Sequence, residues 1–136
     1  MRFRLNTLFW ITLTVALILA IVANWDAIPG TYYVDANHNH HGTGVNEYHY
    51  ENGAVMGRDN YYRGMVYQST WYTPDGDEIA SEPFVRFEGG VYYILRQDGT
   101  IRAKYTYKYN AKEDRYDSVN PVYYDRAGRP KSDTDE

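Results

Sequence analysis

Four glycines punctuate the chain at nearly regular intervals. Gly53, Gly76, Gly99 and Gly128 lie 23, 23 and 29 residues apart, each after an aromatic-rich segment. Tyr48-His49-Tyr50-Glu51-Asn52-Gly53 opens one unit and Trp71-Tyr72-Thr73-Pro74-Asp75-Gly76 the next. Tyr92-Tyr93-Ile94-Leu95-Arg96-Gln97-Asp98-Gly99 opens a third, and Val122-Tyr123-Tyr124-Asp125-Arg126-Ala127-Gly128 a degenerate fourth. Asn-Gly and Asp-Gly are hairpin signals, because tight turns need positive φ and these residues supply it at least cost. Second strands follow in Asn60-Tyr61-Tyr62-Arg63-Gly64 and in Pro83-Phe84-Val85-Arg86-Phe87-Glu88-Gly89, and Thr31-Tyr32-Tyr33-Val34-Asp35 reads as an earlier half-unit. A chain punctuated this way is expected to be all-β, an antiparallel meander of stacked hairpins.

Alternation supports strands rather than helices after Pro29-Gly30. In Lys104-Tyr105-Thr106-Tyr107-Lys108-Tyr109 the tyrosines share one face and the polar residues the other. The chain holds 16 tyrosines in 136 residues. Tyrosine suits half-buried sheet faces and also binding surfaces, where its ring packs and its hydroxyl stays wet. Cysteine is absent, which excludes disulfides and thiolate chemistry. With Arg2 and Arg4 set aside, twelve basic residues face eighteen acidic ones, a balance of −6. That charge repels phosphate backbones, so nucleic acid is not an expected partner.

The N-terminal segment is of a different kind. Leu8 to Ala23 carries no charge, Gly or Pro, and the apolar run from Leu5 to Trp25 is about 20 residues long, roughly the length needed to span a bilayer. Thr12 and Thr14 can bond back to the preceding turn. Arg2 and Arg4 precede the run and Asp26 follows it, so the positive-inside rule puts the N-terminus in the cytoplasm and the remainder outside, with Trp25 at the outer interface. A cleaved signal peptide is the competing reading, with cleavage after Ala23, but Ile21 then occupies a position that prefers a small residue. The expected organisation is an anchor over 1–25, a linker over 26–41, a β-repeat domain over 42–130 and a disordered charged tail over 131–136.

The repeat resembles the MORN-type repeats of the bacterial YwqK antitoxin-like family. Glu47 to Gly53, Tyr61-Tyr62-Arg63-Gly64 and Trp71 to Gly76 carry the resemblance, which covers about Gly42 to Gly99 and weakens up to Pro130. The chain departs from the pattern where the glycine closing the second strand shifts to Gly89-Gly90, and again where Asn110 replaces it. The resemblance implies hairpin architecture and an interaction module without catalytic residues.

Three sets of side chains are candidates for chemistry. His38, His40 and His41 could ligate a borderline metal, with Asp35 or His49 completing a tetrahedral set, or could simply belong to a polar loop. Glu47, Glu51, Asp75, Asp77 and Glu78 could supply paired carboxylates for glycoside hydrolysis. Turn chemistry explains several of them, Asp75 above all, as an Asx cap. Tyr62, Trp71, Tyr72, Tyr92, Tyr93, Tyr105, Tyr107 and Tyr109 could form a stacking surface or supply the core. Paired aromatics such as Tyr61-Tyr62 point to opposite faces, so one of the pair should be exposed. No cofactor is expected. The leading expectation is a non-enzymatic, membrane-anchored module that binds a protein or an envelope glycan outside the cytoplasmic membrane. The alternatives are a YwqK-type antitoxin or immunity protein that neutralises a toxin, and a metal-dependent envelope hydrolase using the His cluster.

Overall fold

The structure is a computed structural model that describes residues 5–131. One helix, α1 (Leu5–Ala23), and a 3-10 turn (Trp25–Ala27) precede nine strands. These are β1 (Tyr33–Val34), β2 (His40–His41), β3 (Gly44–His49), β4 (Val55–Tyr62), β5 (Met65–Tyr72), β6 (Glu78–Val85), β7 (Gly89–Leu95), β8 (Ile101–Asn110) and β9 (Arg115–Tyr123). Strands β3 to β9 form one seven-stranded sheet in sequence order, antiparallel throughout, and β1 pairs with β2 in a separate hairpin. The expected antiparallel meander is the observed architecture.

The repeat appears as one backbone pattern used again and again. The Tyr50 N–H donates to the Ala54 carbonyl and the Gly53 N–H to the Tyr50 carbonyl, both at 2.9 Å. Thr73, Gly76 and Asp77 repeat this pair of bonds, as do Arg96, Gly99 and Thr100, and Asp125, Gly128 and Arg129. The four glycines have φ of 85°, 93°, 80° and 77°, a left-handed conformation that costs other residues roughly 1–2 kcal/mol. Side-chain caps differ between copies. Asn52 accepts from the Ala54 N–H at 2.9 Å and Asp98 from the Thr100 N–H at 3.0 Å. In the second turn the Thr73 hydroxyl takes that role from the Asp77 N–H at 3.1 Å, where the sequence had placed it on Asp75.

The early half-unit over Thr31 to Asp35 is completed to a fifth copy. The Asp35 N–H donates to the Asn39 carbonyl and the His38 N–H to the Asp35 carbonyl, both at 3.0 Å, and His38 stands in the glycine's place at φ 65°. Residues 26–41, expected to be a linker, therefore contain a folded hairpin. It docks on the large sheet through Tyr32 and His40, whose rings lie 4.7 and 4.8 Å from that of Tyr61. Beside this hairpin, at the end of the sheet away from the repeat turns, Arg63 and Gly64 (φ 50° and 77°) make a two-residue turn between Tyr62 and Met65, the I′ geometry that matches strand twist. A Cβ on Gly64 would collide with the His40 carbonyl.

The core is small and sits near the repeat turns. Tyr50, Trp71 and Leu95 are buried, with Met56, Ile79, Tyr92 and Tyr93 packed against them. Strands β6 and β7 pair only at Phe84–Gly90 and Val85–Gly89. Nearer the repeat turns the Trp71 indole meets the edges of Tyr92 and Tyr93 at 5.2 and 5.1 Å. Trp71, expected on a binding surface, is a core residue at 4 % exposure. The domain has few aliphatic side chains, so its largest ring removes the most apolar area from water.

Helix α1 forms over most of the apolar run, and the Thr14 hydroxyl bonds back to the Trp10 carbonyl at 2.8 Å. Among the described residues, however, no helix is long and apolar enough to cross a membrane, which corrects the expectation of a transmembrane helix. The helix stops at Ala23, and its 19 residues rise about 28 Å, slightly less than a typical hydrocarbon core of about 30 Å. Its apolar side chains are exposed on opposite sides: Leu17 and Leu19, two positions apart, are both 62 % exposed. Arg2 and Arg4, which oriented the expected anchor, and the tail beyond Lys131 lie outside the described residues.

Candidate functional site: an aromatic cleft over Asp59

Strand β4 alternates strictly. Gly57, Asp59 and Tyr61 are buried on one face, while Arg58 and Asn60 are only partly covered on the other and Tyr62 is exposed. Asp59 lies opposite Asn46 on β3 and Ser69 on β5, in the middle of the sheet. Above it the same face opens into a cleft of about 300 Å³, within the range of small-ligand sites. Tyr48, Tyr61 and Tyr92 line it around the carboxylate, and Val66, Phe84, Tyr107 and Tyr116 complete the wall. The rings brace one another: Phe84 meets Tyr116 edge-on at 4.9 Å, and Tyr105 stacks beside Tyr107 at 6.3 Å.

Asp59 is 4 % exposed, and its Oδ2 accepts a hydrogen bond from the Tyr48 hydroxyl at 2.9 Å. Among the described residues nothing hydrogen-bonds its other oxygen, Oδ1. Burial pushes the Tyr48, Tyr61 and Tyr92 hydroxyls above the usual phenol range, and the Asp59 carboxylate adds to this, so all three stay neutral donors. None of the lining residues is basic.

Sequence-predicted residues are distributed unevenly around this site. Tyr107 lines the cleft and Tyr105 supports it. Tyr62 is 52 % exposed and lines a neighbouring groove with Arg63 and Arg86, while its partner Tyr61 is buried, as the paired-aromatic argument required. Tyr72 and Tyr93 lie apart from the cleft. Tyr72 faces the Arg58 guanidinium at 5.9 Å, and Tyr93 packs on Trp71 with the Lys104 ammonium 5.8 Å from its ring.

The three imidazoles do not converge. The His40 ring is stacked on Tyr61, with its Nδ1 2.7 Å from the Tyr32 hydroxyl. The His41 ring is stacked on Tyr33 at 4.9 Å, with its Nε2 3.1 Å from Asp35 Oδ2. Asp35 also accepts from the Asn39 and Asn37 N–H groups, and the Asn39 N–H above all, followed by the His41 ring, holds its carboxyl well below the usual range. Among the described residues no group of three His, Cys, Asp or Glu side chains is arranged to hold a metal ion. His40 and His41 build the hairpin through ring stacking and through these nitrogen hydrogen bonds.

Sequence reasoning missed Asp59, Tyr48 and Tyr61 as site residues, whereas Tyr92, one of its stacking candidates, lines the cleft. The available signal was the alternation Gly57-x-Asp59-x-Tyr61, which puts a carboxylate on the face that its neighbours bury. No protein-family model, curated protein or solved structure matches the chain.

Proposed function

We propose that the chain is a non-enzymatic, membrane-attached interaction module that receives its partner, a protein or an envelope glycan, in the aromatic cleft. The observation that carries the binding half is the open cleft over a buried carboxylate. Its rings and lone acid suit recognition. Acid–base chemistry wants two titratable groups of opposed character, and the lining residues offer one carboxylate among neutral phenols. The resemblance to MORN-type repeats points the same way.

The attachment half rests on α1, whose described apolar side chains from Phe9 onward face solvent on opposite sides, an arrangement unfavourable in water and favourable against lipid. The Asp26 carbonyl accepts from the Thr43 hydroxyl at 2.6 Å and Asn24 Oδ1 from the Arg63 guanidinium at 3.0 Å, so the helix is joined to the sheet at its outer-turn end.

Liposome flotation tests the attachment. The full chain is expected to float with neutral phosphatidylcholine vesicles, and a Leu13→Arg, Leu17→Arg double variant to remain in the dense fraction. A natural chain that stays at the bottom, or a double variant that floats equally well, contradicts the reading.

A further inference from the structure

We propose that the cleft over Asp59 receives the ammonium end of a lysine side chain from a partner protein, an inference that rests on the binding-module reading. A buried carboxylate is costly unless a countercharge accompanies it. Asp59 is 4 % exposed, yet its hydrogen bond comes from a neutral hydroxyl, that of Tyr48 at 2.9 Å. The nearby cations are committed elsewhere. Arg58, on the other face of β4, pairs with Glu47 at 2.6 Å, and Lys104 sits by Tyr93. The strand register also places Glu82, half-buried, on the Asp59 face opposite Ser69, outside the cleft lining. The cleft is therefore negative at its floor, open at its mouth, and walled by ring faces whose quadrupole also attracts cations.

The geometry selects among cations. A guanidinium fork needs both carboxylate oxygens in plane, and the Tyr48 hydroxyl already takes one lone pair of Oδ2, so the fork must share that oxygen. An ammonium can bond Oδ1 alone and turn its other N–H groups to water or to the lining hydroxyls, and the four-carbon stem behind it can lie along Tyr61, Tyr92 and Tyr107. A neutral sugar hydroxyl would leave the charge uncompensated.

Three probes test this on the full chain in detergent micelles at constant ionic strength: butylammonium, ethylguanidinium and pentanol, each followed by the ring-proton NMR shifts of Tyr61, Tyr92 and Tyr107. Butylammonium is expected to give saturable shifts, with pentanol weaker by about tenfold or more and ethylguanidinium between them. Asp59→Asn preserves shape and the Tyr48 contact, and is expected to weaken butylammonium by a similar factor. Should that variant fail to fold, the comparison with pentanol in the natural chain decides alone. Pentanol binding as well as butylammonium overturns the proposal. So does the absence of a saturable shift up to about 100 mM, where even a millimolar affinity would be evident. Ethylguanidinium binding as tightly as butylammonium overturns the lysine assignment. A chain that binds butylammonium without floating contradicts only the attachment. One that floats without binding contradicts only the cation site.

Discussion

Tyr61 and Tyr62 are neighbours in sequence with the same side chain, and their environments are opposite. Tyr61 is buried beside Asp59 and Tyr62 is half in water. The period-two geometry of a strand predicts such a split from sequence, but which member turns inward depends on the register of the whole sheet. Trp71 went the same way, into the core, for want of other large apolar groups. Trp71→Ala is therefore expected to cost about 3–5 kcal/mol and Tyr62→Ala within about 0.5 kcal/mol, measured by urea unfolding. Several buried tyrosines also give the fold an alkaline limit. Because burial raises the Tyr61 and Tyr92 hydroxyls above 10.0, the fold keeps protons that the unfolded chain releases. Stability should fall as pH rises past 10.0, seen as a melting temperature that drops together with the appearance of tyrosinate absorbance. On the acid side Asp98 and Asp125 are held below 3.8, chiefly by hydrogen bonds from the Thr100 side chain and the Arg129 N–H, so their contribution is lost as pH falls below 3.8.

At the scale of elements, the hairpin turns were the most legible part of the chain. Gly53, Gly76, Gly99 and Gly128 announce their turns because only glycine adopts that backbone freely. Of the β1–β2 hairpin only the first strand is legible, in Thr31 to Asp35, because its turn carries His38 rather than glycine in the left-handed position. The turn is specified there by Asp35, whose Oδ1 accepts from the Asn37 and Asn39 N–H groups as that of Asp125 does from Ala127 and Arg129. Two glycine substitutions separate the kinds of constraint. Gly76→Ala, where a Cβ meets open space, should cost only the left-handed penalty of roughly 1–2 kcal/mol. Gly64→Ala adds a collision with the His40 carbonyl and should cost more, loosening the β1–β2 hairpin as well. Thermal melts of the two variants, with the His40 ring resonances as a local report, check this order.

At the scale of the molecule, the cleft was the least legible feature. It needs Asp59 from β4, Tyr92 from β7 and Tyr116 from β9 brought to one face, and those residues are far apart in sequence. Local alternation shows that each strand has an aromatic face. It does not show that the short β6–β7 ladder lets Trp71 fill one part of that face and leaves another part open. The helix was legible as an element, in the apolar run from Leu8 to Ala23.

The central claim is that the aromatic face divides into a filled core at Trp71 and an open cleft over Asp59. A soluble paramagnetic relaxation agent, added to the full chain and read through side-chain NMR line widths, tests it most directly. The Tyr107 and Tyr116 rings are expected to broaden strongly while the Trp71 indole stays sharp. Equal protection of all three would mean that the cleft is closed and the binding-module account is wrong.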